Sequence, residues 1–388
     1  VPANPLRRKS NLTPFLPFAR PTIDEAMIAA VADTLRSRWL VTGPRAAAFE
    51  KALSERFGGR QVRCVTSATA AIELALELLE VGAGDEVILP AQSFFVTGNL
   101  VERSGATPVF VDVELVSRNV DLAQADAAVT PRTKVFLPTH YNAPLDPASL
   151  ARFRERHGVR ILEDAALAIG SSAGGRAVGS TGDLVSFSFH PNKNITTIEG
   201  GALVLDDARE AAVIEQLRFH GIVRRADGTR DVERPGAKYN FSDVSARLGL
   251  EQLAHLDAWC GAREKLAMRY FERLAGDDLL TPDRLPPRAN PGHSWNMFTV
   301  LLPLEAMGRT RKSFIDAMAE AGIGIGISYE AIHLTTAFRR KGFREGEFPV
   351  SERIARETVT LPLFPEMRES DVDRVCDSLA QVMRRKAA

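Results

Sequence analysis

Leu184-Val185-Ser186-Phe187-Ser188-Phe189, running directly into His190-Pro191-Asn192-Lys193 and then Glu199-Gly200-Gly201, decides how this chain is read. The first six residues are a short apolar run of the kind that fills a buried strand, and the loop behind it presents one lysine. A lysine attacks an aldehyde only when neutral, so its ordinary pKa of about 10.4 must fall through burial or a neighbouring cation. Ser188 precedes Lys193 on the strand, where its hydroxyl could reach a phosphate while the amine reaches an aldehyde of the same bound molecule. Taken alone, the spacing favours a solvated surface lysine, the common fate of that residue. Its partners must decide.

Working outward, similar runs occupy residues 62–67, 86–90, 108–113, 134–139, 159–164 and 202–205, several of them separated by helical patterns. Continuous apolar strands alternating with helices predict an α/β fold: a seven-stranded, mostly parallel sheet with helices on both faces. Between the first two runs, Ile72, Ala75, Leu76 and Leu79 recur at helical spacing and predict a helix over 69–80. A helix that starts at the carboxyl end of a strand turns unpaired N–H groups and a positive dipole end toward an anion. Ser67-Ala68-Thr69-Ala70 therefore reads as a phosphate cup, although Ser and Thr are also the commonest helix caps.

After Asn240 a long helical pattern opens at the cap Ser242-Asp243 and passes through Leu248, Leu253 and Leu256 toward Arg273. Beyond a Pro-rich linker at 282–291 come a strand (295–302), a helix (310–321), a Gly-rich turn (322–326) and a closing helix from Ser370. This predicts a large domain over 1–256 and a smaller C-terminal α/β domain over 257–388.

The balance of 49 basic and 49 acidic residues gives no reason to expect nucleic acid or a membrane surface as partner, and small-molecule chemistry becomes the default. Cys64, Cys260 and Cys376 are widely separated and lack metal-ligand spacing, so no metal is expected and a reduced, cytoplasmic setting is. Arg7-Arg8-Lys9 has no apolar run behind it long enough for a signal sequence, and no window is apolar enough to span a bilayer.

Ile161-Leu162-Glu163-Asp164-Ala165-Ala166 ends a strand with two carboxylates that alternate to opposite faces. A carboxylate there is costly to bury unless a cation or hydrogen bond meets it, and a protonated pyridine nitrogen would be such a partner. Capping the segment from Ala165 is an equal alternative for Asp164 taken alone. Together, Asp164, Ser188 and Lys193 stand at the ends of neighbouring strands and could converge on one cofactor.

With these residues the chain resembles the DegT/StrS-type sugar-nucleotide aminotransferases, pyridoxal-phosphate enzymes of the aspartate aminotransferase fold. Thr42-Gly43-Pro44, Glu163-Asp164-Ala165-Ala166, Ser188 to Lys193, Glu199-Gly200-Gly201, Phe219-His220-Gly221, Lys238-Tyr239-Asn240 and Leu361-Pro362-Leu363-Phe364-Pro365 carry the resemblance over nearly the whole length. Within the family, segments 138–141, 237–240 and 361–367 are most like the UDP-4-amino-4-deoxy-L-arabinose oxoglutarate aminotransferases. The resemblance implies transfer of an amino group from glutamate, leaving 2-oxoglutarate, to a nucleotide-linked keto sugar, for cell-surface polysaccharide or lipid A sugars. By position, Lys193 would bond to the cofactor and move protons, and Asp164 would pair with the pyridine nitrogen. Ala68, Thr69 and Ser188 would hold the phosphate, and Phe94 would stack on the ring. Asn240 would reach the phosphate of a neighbouring subunit's cofactor, which requires a homodimer with shared active sites. Trp39, Thr42, Arg45, His220 and His333 would border the substrates. Leu167 departs from the family, which usually carries Gln or His there.

Two other functions share the fold. A sugar dehydratase of this type replaces the lysine by histidine, which Lys193 argues against. A non-catalytic regulatory homologue would have lost turnover, which the joint presence of Asp164, Ser188, Lys193 and Asn240 argues against.

Overall fold

The computed structural model describes residues 14–384; the Arg7-Arg8-Lys9 stretch lies outside them. Seven strands form the central sheet: β1 (Gln61–Val65), β2 (Glu86–Pro90), β3 (Thr107–Val111), β4 (Thr133–Phe136), β5 (Arg160–Asp164), β6 (Leu184–Ser188) and β7 (Gly201–Leu205). They lie in the order β1-β7-β6-β5-β4-β2-β3. The four pairings from β6 to β3 are parallel, while β7 runs antiparallel to both β6 and β1. The expected strand over 134–139 is shorter than the apolar run suggested, because β4 ends at Phe136 and Thr139 rejoins β5 through a single bridge to Asp164.

Eight helices precede the second core: α1 (Glu25–Ser37), α2 (Pro44–Arg56), α3 (Ala68–Leu78), α4 (Val96–Arg103), α5 (Leu122–Ala127), α6 (Pro147–His157), α7 (Ala208–Leu217) and α8 (Asp243–Leu274). Strand alternation sends Leu184, Leu203 and Leu205 to one face, where they pack with Ile72 and Ala75 of α3 and Ile214 of α7. Val185, Phe187 and Val204 point to the other face and meet Phe49, Leu53 and Phe57. Both faces are therefore covered, which is why these strands read as continuous apolar runs.

The long helix α8 spans 32 residues without a break. At its start Ser242 accepts the N–H of Ser245, and the buried Asp243 reaches across to accept the N–H groups of Gly43 (3.0 Å) and Ala46 (2.9 Å), capping α2 from outside. At its far end Leu266, Tyr270 and Phe271 enter a separate core with β8 (Phe298–Leu301), β9 (Thr358–Leu361) and the closing helix Glu369–Arg384. The early residue Leu16 is buried in this core too, bridging to Ile323. Among the described residues no helix is long and apolar enough to cross a membrane.

Candidate active site

β5 ends at Asp164 and β6 at Ser188, and both side chains open into a cavity of about 280 Å³ at the carboxyl ends of the strands. Lys193, from the loop that joins β6 to β7, lines the same cavity. The Asp164 carboxylate is held from below: its Oδ1 accepts the Ala166 N–H at 3.0 Å, its backbone N–H donates to Pro138 (2.8 Å) and its carbonyl accepts from His140 (3.0 Å). Burial pushes this carboxyl up from its ordinary value, opposed by the Ala166 N–H and by the charge of Lys193. Burial also draws the Lys193 amine down to about 8, against the pull of Asp164. Each group is desolvated, and the opposite charge of the other works against that burial.

The opposite end of the cavity is built for an anion. Ser67 caps α3, its hydroxyl accepting the Ala70 N–H at 3.1 Å, and Ala71 donates to the Ser67 carbonyl at 3.1 Å. The N–H groups of Ala68 and Thr69 stand in the first turn, where the helix itself offers no acceptor. The Ser188 hydroxyl joins them on the lining. Gly201 at the head of β7 makes this cradle possible, since a Cβ there would stand 2.4 Å from the Ser67 carbonyl carbon and 2.5 Å from the Ala68 nitrogen. The site thus suits a flat molecule with a phosphate at one end, a basic ring nitrogen at the other and a carbonyl beside the lysine.

Phe94 lines the wall with its ring half exposed, 5.5 Å from the Tyr329 ring, and Leu167 contributes an almost fully buried apolar surface. Tyr329 was not anticipated. It follows the Gly-rich turn with no periodic pattern around it, and tertiary bridges from Gly326 to Thr360 and from Ala331 to Gln92 bring its segment to the cavity. Ser93 and Thr139, whose hydroxyls lie 3.0 Å apart, also line the site without a local sequence signal.

The remaining expected residues lie off this lining. Asn240 donates to the Thr42 hydroxyl at 2.6 Å and accepts from Lys238, whose amine sits 4.7 Å above the Phe219 ring. His220 packs against the same ring, and Trp39 stands close by Gly43. These residues form a second cluster in which Asn240 is buried beneath the exposed Trp39, Thr42, Phe219, His220 and Lys238, with the exposed Arg45 on the first turn of α2. His333 belongs to neither group: it is completely buried, with Nε2 3.1 Å from Glu352, so the expected substrate contact gives way to a packing role. Among the described residues no acidic, His or Cys cluster could hold a metal.

Residues 21–380 match the DegT/DnrJ/EryC1/StrS aminotransferase family. The fold is similar to that of Spr1654 of Streptococcus pneumoniae in its PMP-form, at 31% identity and a TM-score of 0.87, covering 95% of this chain and 99% of that one. It is equally similar to S. venezuelae DesV in complex with a ketimine intermediate, with 32% identity, a TM-score of 0.87 and coverage of 96% and 100%. DesI in the presence of its TDP-sugar product shares 28% identity at a TM-score of 0.84, covering 96% of this chain and 93% of that chain. The α/β architecture is that of aspartate aminotransferase-like enzymes, and the chain belongs to the DegT/DnrJ/EryC1/StrS aminotransferase family.

Proposed function

We propose that this chain is a pyridoxal-phosphate-dependent aminotransferase that carries an amino group from glutamate to a keto sugar attached to a nucleotide. The observation that supports it most is the placement of Asp164 and Lys193 on one cavity that also takes in the start of α3, where the Ala68 and Thr69 N–H groups have no acceptor within the helix. The residues fit the cofactor: N–H groups of Ala68 and Thr69 with the Ser188 hydroxyl for the phosphate, Asp164 for the ring nitrogen, Lys193 for the aldehyde. When bound, pyridoxal phosphate supplies an electron sink for negative charge at the carbon that bears the amino group.

The protein's own groups do the rest. Asp164 keeps a proton on the ring nitrogen, and its buried carboxylate gains a cation in return. Lys193, drawn down to about 8, holds far more neutral amine near physiological pH than an ordinary lysine and can take and return a proton at the carbon under attack. Phe94 offers a ring face to the cofactor, and the first turn of α3 fixes its register.

The exposed cluster around Asn240 favours a homodimer. Trp39, Val41 and Phe219 are 59%, 60% and 42% exposed there, an apolar surface suited to cover by a second copy. In that dimer Asn240 would reach the phosphate of the neighbouring subunit's cofactor, and Trp39, Thr42, Arg45 and His220 would border the nucleotide or the donor carboxylate. Supply of amino sugars for cell-surface polysaccharide or lipid A is the destination we propose.

Absorbance of the cofactor-loaded protein tests the reading. Glutamate should bleach the visible band and a nucleotide-linked keto sugar should restore it, with a panel of such sugars ranking the acceptor. A spectrum that glutamate leaves unchanged would rule out glutamate as donor.

A further inference from the structure

Trp295 is the bulkiest residue of the protein in the left-handed region, with φ 50°. A large side chain holds that conformation only where its surroundings impose it, and such outliers gather where geometry serves function. Here the surroundings are explicit. The indole is 1% exposed, packed against His293 (ring centroids 4.6 Å) and Phe271 (5.8 Å). The buried Arg263 guanidinium donates to the carbonyls of Trp295 and Asn296, both at 3.4 Å, and to that of Leu363 at 2.7 Å.

The kink turns both neighbours of Trp295 toward the loop that carries Lys193. The Asn296 carboxamide nitrogen donates to the Asn192 carbonyl at 3.1 Å and to Oδ1 of Asn194 at 3.2 Å. Asn194 in turn donates to the Ser294 carbonyl at 3.1 Å and to the Ile169 carbonyl at 3.2 Å. The residues immediately before and after the lysine are thus tied to one turn, and Asn194, Ser294 and Asn296 are all buried. Lys193 itself contributes one backbone bond, from its N–H to the His190 carbonyl at 2.9 Å.

We propose that Ser294-Trp295-Asn296 is a clasp that fixes the position of Lys193, with Asn296 as its positioning residue. The clasp reaches the lysine's loop from a turn 104 residues further along the chain, beside the bond that the Thr196 N–H makes to Gln252 of α8 at 3.1 Å. Loss of the Asn296 donor frees the Asn192 carbonyl before the amine and removes one of the bonds to Asn194 after it, while Asn194 keeps its bonds to the Ser294 and Ile169 carbonyls. The kinetic half of this proposal rests on the aminotransferase reading, and the exchange half does not.

The test compares Asn296→Ala with Thr299→Val in the full-length protein. The second removes a buried hydrogen bond of the same core, from Thr299 to Asn142 at 3.0 Å, and touches neither flank of the lysine. Amide hydrogen exchange over 190–196 should quicken about tenfold in N296A and stay at the wild-type rate in T299V. Turnover with glutamate should fall on the order of a hundredfold in N296A, since small misplacements of a reacting group cost that much, with KM within about twofold. Unchanged exchange in N296A, or equal quickening in T299V, overturns the clasp. A wild-type protein that fails to react with glutamate defeats the functional reading while the exchange comparison still decides the clasp. Should N296A not fold, N296D, which keeps the volume and replaces the donor by an oxygen facing two oxygens, carries the same comparison.

Discussion

Two hollows border β5, one running along it from Arg160 to Glu163 and one at its carboxyl end beside Asp164, and they differ in how their charges are used. The larger, a groove of about 750 Å³, is lined by Glu163, Arg160, Arg154 and Asp183. Its charges neutralise one another: Arg160 grips Asp183 at 2.6 and 2.8 Å and Glu210 at 2.9 Å, while Glu163 accepts from His140 at 2.8 Å. The Leu145 N–H donates to Nδ1 of that histidine at 3.0 Å, which puts its ring proton on Nε2, facing Glu163. The smaller cavity holds Asp164, whose carboxylate accepts the Ala166 N–H, with Lys193 and the start of α3, where the Ala68 and Thr69 N–H groups have no acceptor within the helix. Volume favours the first hollow and unmet polar demand the second. The adjacent residues Glu163 and Asp164, identical in charge and both buried, separate structure from chemistry by which face they take.

This contrast can be broken at several points. Lys193→Ala should have the largest effect, abolishing both the visible absorbance of the bound cofactor and turnover; a variant that kept the absorbance would remove Lys193 from its role. Asp164→Asn comes next, with turnover down on the order of 10²–10³-fold as the preorganised charge is lost, measured as the rate of the glutamate half-reaction. Glu163→Gln, one residue away, should leave turnover within about threefold and instead lower unfolding free energy by about 1–3 kcal/mol, the worth of a charged hydrogen bond, read by denaturant titration. Equal kinetic losses in the two variants would erase the distinction between the faces. A finer probe is pH: capture of pyridoxal phosphate by cofactor-free protein should rise with pH and level off above about 8, where the buried amine becomes neutral. An exposed lysine would keep gaining toward about 10.4. Leu167→Gln should be the mildest, adding a donor and acceptor to an apolar wall and shifting the absorbance maximum with turnover changed by only about twofold.

The residues that were legible from sequence share one property: their placement is local. Asp164 and Ser188 close strands, and Lys193 sits in the loop just after one, so the alternation and length of β5 and β6 put them within reach of one another, and the family resemblance supplied their roles. The cap Ser242 and the start of α8 were legible for the same reason. Tyr329 was not, because its position depends on β9, and Thr358–Leu361 follows the helix Pro349–Glu357 without a turn signal. His333 was misjudged because residue type says nothing of burial, and its pairing with Glu352 is made by two segments that meet only in the folded chain. The Asn296 contacts with the lysine loop span 102 and 104 residues and leave no periodic trace.

The cap that Asp243 places on α2 also sets a clock. Gly43 and its acceptor are separated by 200 residues, and α2 has no side-chain cap of its own. A ribosome adding about 5–20 residues per second needs roughly 10–40 s to bridge that interval. For that time the first turn of α2 must face water, and β1 waits for β7 to be made before it has any neighbour in the sheet. The segment that carries α2 and β1 is therefore made well before the partners that complete it, and the nascent chain must carry an open helix start and an unpaired strand until α8 and β7 emerge.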